Sequence, residues 1–458
     1  MIIMVKRFVN RERELSWMED QHSNDAAFLV LYGRRRVGKT ELIKEFMRSK
    51  DHVYFLATKK TERDNLKDLQ KQMGEYLQKD IFTDIDFEGW EDLFKEFIRK
   101  VNKEIVITID EFPYLIVLND ALPSIFQKIW DEHLKEKNVT LILCGSSIGM
   151  METHVLRYKS PLYGRRTGQW KLKPFKFEEL SGFFPDKGLE ERLRFYSYLD
   201  GIPQYLDMMD PEKNVEWNLK NKLMQKGTYL YEEAENLLVQ EVRKPANYFS
   251  ILQAIAEGNT RYGEICNRTE MSKSKVSQYL KNLRELHIVE KEFPITQNKE
   301  SRNALYKLTD NYYDFWFEFI YPNQSMLEEG KIEKVLDSEK SAFRRHVSFV
   351  FEQICREYLR KEWDEVGRWW GKGEEIDVVG FDKTKDKIIF GECKWSKNKI
   401  GLDVFYDLKE KAKEVRWGGK NREEEYILFS KSGFEGKVHQ LDEEVRLFDI
   451  EDMKKIFR

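Results

Sequence analysis

The sequence predicts an α/β protein of about three modules, and three observations carry that expectation. Four short apolar runs, residues 28–32, 52–57, 104–109 and 139–144, alternate with helical stretches such as 41–48 and 92–101. Runs of that length suit strands of a parallel sheet covered on both faces, and the alternation is the α/β signature. A glycine-bearing loop stands between the first run and its helix. The chain has 458 residues, which at roughly 150 per domain asks for about three domains.

Composition narrows the class. Lys and Arg number 78 and Asp and Glu 81, so the net charge is −3. That excludes a uniformly basic nucleic-acid coat and an acidic disordered tail, but not a local basic face. Apolar residues make up 41% and aromatics 14%, enough for packed cores. The charged fraction of 35% is high, a pattern found in heat-adapted proteins. Cys144, Cys266, Cys355 and Cys393 are scattered with no C-x-x-C, which excludes a disulfide framework and a zinc ribbon and points to buried thiols. No uncharged apolar run reaches the ~18 residues of a membrane helix. Residues 1–5 are too short for a signal peptide, and Lys6-Arg7 follows them rather than preceding them. A soluble, cytoplasmic protein with no membrane partner is expected.

Gly33-Arg34-Arg35-Arg36-Val37-Gly38-Lys39-Thr40 matches the phosphate-binding pattern G-x-x-x-x-G-K-[ST]. Gly33 and Gly38 let the backbone wrap phosphates, and the loop amides and the following helix N-terminus face the anion. Lys39 is expected to reach the β- and γ-phosphates and Thr40 to ligate Mg²⁺. The run 105–109 leads into Asp110-Glu111. Asp110 would hold the Mg²⁺ and Glu111 would orient the attacking water. The next run ends at Gly145-Ser146-Ser147, where Ser147, slightly ahead of Ser146, is read as a γ-phosphate sensor.

Five motifs in order then carry a family resemblance. They are Phe8-Val9-Asn10-Arg11-Glu12-x-Glu14-Leu15, the loop above, Ile109-Asp110-Glu111-Phe112-Pro113-Tyr114-Leu115, Ser160-Pro161-Leu162-Tyr163-Gly164-Arg165, and Gly201-Ile202-Pro203-x-Tyr205-Leu206. Over about residues 1–240 the chain resembles the archaeal ATPase family, within the AAA+/STAND group of P-loop NTPases. The resemblance implies ATP and ADP as ligands and an adenine pocket lined by the first segment, including Arg11. It also implies a Gly201-Ile202-Pro203 turn that reports nucleotide state. Many relatives carry a glycine pair before Ile-Pro, where this chain has Asp200. Arg165 and Arg166 are arginine-finger candidates, and a finger supplied by a neighbouring copy would make the protein a homo-oligomer. Of Arg34, Arg35 and Arg36, some should pair structurally, because the loop chemistry there needs only backbone.

From about residue 177 to 242 the pattern turns helical, as in 190–199 and 217–224, and reads as a lid. A winged helix follows. Residues 245–257 and 262–266 read as helices, and Ser272 caps a third whose stripe is Val276, Leu280 and Leu283. Segments 287–291 and 304–308 read as strands around the polar turn 297–302. Lys273, Lys275, Ser277, Gln278, Lys281 and Arg284 lie off the stripe, for a DNA groove or simply for solvent. Charge thickens between 328 and 339, a linker candidate. The expected modules are a P-loop ATPase core over 1–175, a helical lid over 176–242, the α+β winged helix over 243–325 and a last α/β unit over 340–458.

That last unit carries a second chemistry. Residues 375–381 read as a strand, 382–387 as a polar turn and 388–395 as the return strand. Period two puts Glu392 and Lys394 on one face and Cys393 on the other. Pairing brings Asp377 near Glu392, and the helix 346–360 supplies Glu352. Carboxylates so grouped hold Mg²⁺ or Mn²⁺ against a scissile phosphate, with a lysine to offset developing charge. The spacing D-(x14)-E-x-K resembles the PD-(D/E)XK nuclease superfamily, a restriction-endonuclease-like fold, and the C-terminal domain that commonly ends archaeal ATPases. That resemblance implies Glu352, Asp377 and Glu392 as metal ligands and Lys394 as the catalytic lysine. Ile376 stands where the superfamily's name has proline. Lys409, Lys411 and Lys413 on the next helix are candidates for phosphate contact or a solvated face. Two functions remain open: an ATPase coupled to DNA binding and metal-dependent cleavage, and an ATP-dependent switch or DNA-binding regulator whose last domain does not cut.

Overall fold

The computed structural model describes residues 8–23, 26–242, 244–297, 301, 303–384, 386–419, 422–441 and 445–457. The readings made for residues 1–7, for 298–300 and Arg302 of the polar turn, and for Lys385 fall outside them. The chain divides into two units. One runs to Pro174 and includes Ile202–Gln204, and the other comprises Phe175–Gly201 and Tyr205 onward.

The first unit starts with α1 (Glu12–His22) and then alternates. Its elements are β1 (Ala26–Tyr32), α2 (Lys39–Met47), β2 (His52–Leu56), α3 (Glu62–Leu77), α4 (Trp90–Lys100), β3 (Ile105–Asp110), α5 (Phe112–Leu118), α6 (Leu122–Ile129), β4 (Val139–Gly145), the short α7 (Ile148–Met150) and β5 (Gly168–Lys171). All strands are parallel, in the order β2-β3-β4-β1-β5. The four apolar runs are β1 to β4, of which β1, β3 and β4 lie inside the sheet and β2 at one edge, and β1 shows why the inner runs are continuous. Phe28, Val30 and Tyr32 enter one core while Ala27, Leu29 and Leu31 enter the other, so period two buries both faces. In α4, Trp90, Leu93, Phe94, Phe97 and Ile98 form the buried stripe, with acids in the first turn and bases in the last. The edge strand β5 has no such run. Gly168-Gln169-Trp170-Lys171 is partly exposed and is held by backbone pairing to residues Leu29 to Tyr32.

The second unit includes α8 (Leu189–Leu199), the end of α9 (Pro203–Leu206), α10 (Val215–Asn218) and α11 (Tyr229–Glu241). The helix read over 217–224 is α10 continued by a wider turn, Leu219–Met224. The winged helix follows as α12 (Ala246–Ala256), α13 (Tyr262–Thr269), α14 (Lys273–Glu285) and the antiparallel pair β6 (Val289–Glu292) and β7 (Leu305–Leu308). Ser272 caps α14 by accepting from the Lys275 amide. Val276, Leu280 and Leu283 are buried, while Lys273, Lys275, Ser277, Gln278, Lys281 and Arg284 are exposed.

Helices α15 (Asn311–Phe315), α16 (Gln324–Glu328), α17 (Ile332–Ser338) and α18 (Lys340–Leu359) lead to the last sheet. The charged stretch read as a linker is therefore largely helical, anchored by the single buried side chains Leu327 and Val335. Inside α18, His346 is 1% exposed. Its Nε2–H donates to the Ser197 carbonyl at 2.6 Å, and Nδ1 lies 3.3 Å from Glu318 and 3.8 Å from Asp314.

The last sheet contains β8 (Glu365–Gly371), β9 (Glu374–Asp382), β10 (Lys387–Lys394), then α19 (Leu402–Ala412), β11 (Glu423–Ser430), β12 (Val445–Phe448) and α20 (Ile450–Ile456). Its order is β12-β11-β10-β9-β8, antiparallel from β8 to β10 and parallel from β10 to β12. All four cysteines are free and buried, and Cys393 faces the core as alternation requires. Among the described residues no helix is long and apolar enough to cross a membrane.

Candidate functional site

The phosphate loop leaves the C-terminal end of β1, where ligands of parallel α/β sheets gather. Gly33 passes so close to the next strand's exit that a Cβ there would meet the Leu172 carbonyl oxygen at 2.2 Å. Gly38 has φ 88°, a left-handed conformation that favours glycine, and hands the chain to α2. Lys39 is 6% exposed and its Nζ donates to the Gly33 carbonyl at 2.9 Å and the Arg34 carbonyl at 2.8 Å. Burial pushes its pKa down, opposed by Cys144, Glu111 and Asp110. The lysine thus lies across the loop mouth.

Asp110 ends β3 at 1% exposure. It accepts from Thr40 Oγ1 at 2.8 Å, from the Tyr54 hydroxyl at 2.8 Å and from the Glu111 amide at 2.9 Å. Burial and the Asp110 charge keep the Tyr54 hydroxyl protonated, its pKa raised. The hydroxyl of Thr40 and the carboxylate of Asp110 are hard oxygen donors, the set that suits Mg²⁺. Glu111 adopts φ 55° and accepts from Ser146 Oγ at 2.8 Å. So the serine joined to the acidic pair is buried Ser146, whereas Ser147 is half-exposed at the start of α7. The apolar-run reading could not separate these neighbours, because only the direction of the strand end distinguishes them.

Arg11 is buried at φ 79°, donating to Glu14 at 2.9 Å, the Val37 carbonyl at 3.3 Å and the Lys173 carbonyl at 2.8 Å. It braces the loop through Val37. Arg35 donates to the Tyr114 hydroxyl at 3.2 Å, a structural pairing of the expected kind. Pro203, of the Gly201-Ile202-Pro203 turn, lies 3.8 Å from where a Gly38 Cβ would be. Asp200 has φ 56°, the conformation glycine favours, and satisfies its own carboxylate on the Gly201 amide at 2.6 Å and the Asn311 amide at 3.2 Å. Arg165 is engaged with Asp131 at 3.2 Å and with the Pro161 carbonyl, away from the loop contacts above. Arg166 donates to the Leu156 carbonyl at 3.2 Å and bears electrostatically on Tyr32, the last residue of β1.

In the second unit, β9 and β10 pair with Gly391 opposite Val378, which sets Asp377 beside Glu392. Asp377 Oδ2 accepts from the Cys393 amide at 2.9 Å. Lys394 Nζ donates to Glu392 Oε1 at 2.5 Å. Glu352, on α18, is 9% exposed and lies 3.6 Å from Arg356, whose guanidinium also donates to the Asp377 carbonyl at 2.8 Å. Burial, then the Asp377 charge, pushes the Glu352 pKa up to about 8, and the same two causes raise that of Glu392. Burial disfavours charge on Lys394, but Glu392 outweighs it and raises its pKa. Glu392 Oε2 is buried with no hydrogen-bond partner. The three acids therefore share one field, with one buried oxygen that accepts no hydrogen bond.

Their oxygens do not draw as close as a closed metal cluster. Among the described residues the set within 4.8 Å of one another is Glu91, Glu132 and His133, which the sequence pattern did not single out. There Lys128 already supplies the cation, 2.9 Å from Glu91. Of the lysines on α19, Lys411 pairs with Asp407 at 2.7 Å and bears on Glu392, while Lys413 pairs with Glu410.

Residues 8–209 match a family described as an ATPase domain predominantly from Archaea. Residues 249–291 match the bacterial regulatory protein, arsR family, and residues 316–414 match archaeal and bacterial proteins of unknown function. An uncharacterized protein of Methanocaldococcus jannaschii is 38% identical over 97% of this chain and 99% of its own. An uncharacterized ATP-binding protein of the same organism is 54% identical over 9% of this chain and 75% of its own. Among solved structures, the Walker-type ATPase of Pyrococcus abyssi is 22% identical, with a TM-score of 0.50, over 68% of this chain and 96% of its own. That likeness shows the fold.

Proposed function

This chain belongs to the archaeal ATPase family and carries a winged helix after its ATPase domain; we propose that it hydrolyses ATP with Mg²⁺, engages DNA through α14, and cuts nucleic acid at the acidic centre of its last sheet. The meeting of Thr40 with Asp110 beneath Lys39 supports the first part. There Lys39 exchanges its loop carbonyls for β- and γ-phosphate oxygens, and the loop amides take the remaining charge. Mg²⁺, when bound, neutralises charge on the transferring phosphoryl group. Glu111, steadied by Ser146, orients the attacking water. Gly33 and Gly38 admit the phosphates, Arg11 braces the loop, and Ser146 replaces Ser147 as our γ-phosphate sensor.

The observation that carries the cleavage reading is the unpartnered Glu392 oxygen, with Glu352 and Glu392 both raised by burial and by the neighbouring Asp377 charge. Glu352, Asp377 and Glu392 would hold a second Mg²⁺ or Mn²⁺, which supplies electrostatic stabilisation of the scissile phosphate. Lys394 holds its proton against Glu392 and donates toward developing negative charge. The second reading, a non-cutting ATP-dependent switch, is favoured by the Arg356–Glu352 pair, which neutralises one acid already.

One set of assays separates them. The full chain is incubated with plasmid DNA or RNA and Mg²⁺ or Mn²⁺, alongside Lys394→Ala and the double variant Lys273→Glu with Lys275→Glu. The cleavage reading expects nicking that Lys394→Ala abolishes while ATP turnover survives, and duplex binding that the double variant weakens about tenfold at ~0.1 M salt. A wild type that cuts neither nucleic acid with either metal rejects it in favour of the switch.

A further inference from the structure

Among its described residues the wing of the winged helix is not free. The Ile295 amide, just beyond β6, donates to the Arg368 carbonyl at 2.9 Å, and Trp370 Nε1 donates to the Asn303 carbonyl at 3.2 Å. A Cβ on Gly367 would meet Ile295 Cβ at 3.2 Å. β8 is the edge strand of the last sheet, so the wing covers backbone groups that would otherwise lie open.

The docking point coincides with a β-bulge. Gly367 pairs with Val379 and Trp369 with Ile376, so Arg368 alone faces both Asp377 and Val378. Bulges re-aim side chains and are common beside functional centres. Arg368 is 17% exposed, with Glu292 of β6 at 3.5 Å and Glu375 at 3.0 Å. The charges of Glu352 and Asp377 bear on it as well. Its two partners differ. Glu292 is 17% exposed and held by Lys307 at 3.7 Å, whereas Glu375 is 56% exposed. An exposed partner exchanges readily for another anion, and a guanidinium fork suits a phosphate.

We propose that Arg368 is the phosphodiester-binding residue of the C-terminal centre and that Glu292, a residue of the winged helix, positions it, an assignment that rests on the reading of that centre as a nucleic-acid site. A phosphate entering from solvent replaces Glu375, while Glu292 keeps the guanidinium aimed across the bulge at Asp377. The centre is then built from two modules, and the wing serves it rather than a DNA groove.

The test uses the full chain carrying Lys273→Glu and Lys275→Glu, so that binding by α14 is suppressed. A fluorescein-labelled oligonucleotide is titrated by anisotropy with Ca²⁺, and cleavage of the same strand is followed with Mn²⁺. Arg368→Ala is expected to weaken binding about tenfold and to raise KM with kcat nearly kept, as for a binding contact. Arg368→Lys keeps the charge without the fork and falls between. Glu292→Gln weakens binding about threefold, and Glu292→Asp restores most of it. A background chain that binds no oligonucleotide, or Arg368 variants that bind and cut at the background KM, overturn the assignment. A chain that binds through Arg368 but cuts with no metal rejects the cleavage reading and leaves the assignment of Arg368 standing.

Discussion

Two buried carboxylate centres in this chain are built on opposite electrostatic terms. Asp110 receives three donors and is satisfied before any ligand arrives. Glu352 and Glu392 are buried beside Asp377, with pKa values raised and one oxygen unpartnered. The first centre is saturated with donors, whereas in the second burial and a neighbouring charge raise two acids and leave one carboxylate oxygen without a partner. The same chemical change should therefore have opposite consequences at the two.

The largest effect tests that contrast directly. Asp110→Asn keeps the shape but loses the acceptor for Thr40 and Tyr54. ATP turnover should fall by about 10² or more, because the group serves the reacting phosphoryl. Stability should fall too, by about 1–3 kcal/mol for stranded buried donors. Glu352→Gln replaces an acid that folding must protonate at neutral pH with a neutral side chain of the same shape, so the second unit should melt higher without metal, by roughly 2–4 °C. The same variant should lose the stabilisation that Mn²⁺ gives the wild type. Differential scanning calorimetry with and without Mn²⁺ reads both. If Glu352→Gln melts lower and Mn²⁺ still stabilises it, the contrast between the centres collapses.

How much of this was legible in the sequence depends on what each residue's position requires. The phosphate loop and the inner strands were readable because glycine spacing and period-two burial are local. Asp377, Glu392 and Lys394 were readable because strand alternation and one turn fix their register. β5 was not, since an edge strand of Gly168-Gln169-Trp170-Lys171 needs no apolar run. Nor was the docking of the wing on Arg368, because Ile295 and Arg368 are joined by tertiary pairing across a bulge that leaves no periodic trace. Charge density misled at residues 328–339, where one buried apolar side chain per short helix suffices.

The His346 cluster sharpens the comparison, because its partners are all protein: the His346 ring is buried and Glu318 nearly so, whereas the Asp314 side chain is 39% exposed. Burial, then the Glu318 and Asp310 charges, raises Asp314 to about 7, with His346 opposing. Burial disfavours the His346 charge, but Glu318 and Asp314 outweigh it and raise its pKa. An acid whose folded pKa is raised loses stability as pH climbs from its unfolded value near 4 toward about 7. A histidine so raised contributes fully below about 6.5 and loses that contribution as pH passes its folded value. Both slopes point the same way. The second unit should melt progressively lower between pH 5 and about 8. Asp314→Asn should flatten the acidic part of that profile and leave the histidine part. A wild-type profile that rises with pH over this window would contradict both assignments.

The smallest effect concerns Arg165. If its partner is Asp131, as the 3.2 Å contacts have it, the pair is structural and about one-third exposed. Such pairs contribute about 0–1 kcal/mol, so Arg165→Ala should shift melting of the first unit slightly and leave ATP turnover within about twofold. An arginine finger behaves otherwise, because its loss removes about 10³ or more from turnover with no change in melting. The readout is the ratio of the two changes rather than either alone. Asp131→Ala supplies the control: it should reproduce the small melting shift if the pair is structural, and it frees Arg165 without removing it. A large turnover loss in Arg165→Ala with full activity in Asp131→Ala would make Arg165 catalytic, which requires it to leave Asp131 during the ATP cycle. That outcome would make the nucleotide centre incomplete until its arginine arrives.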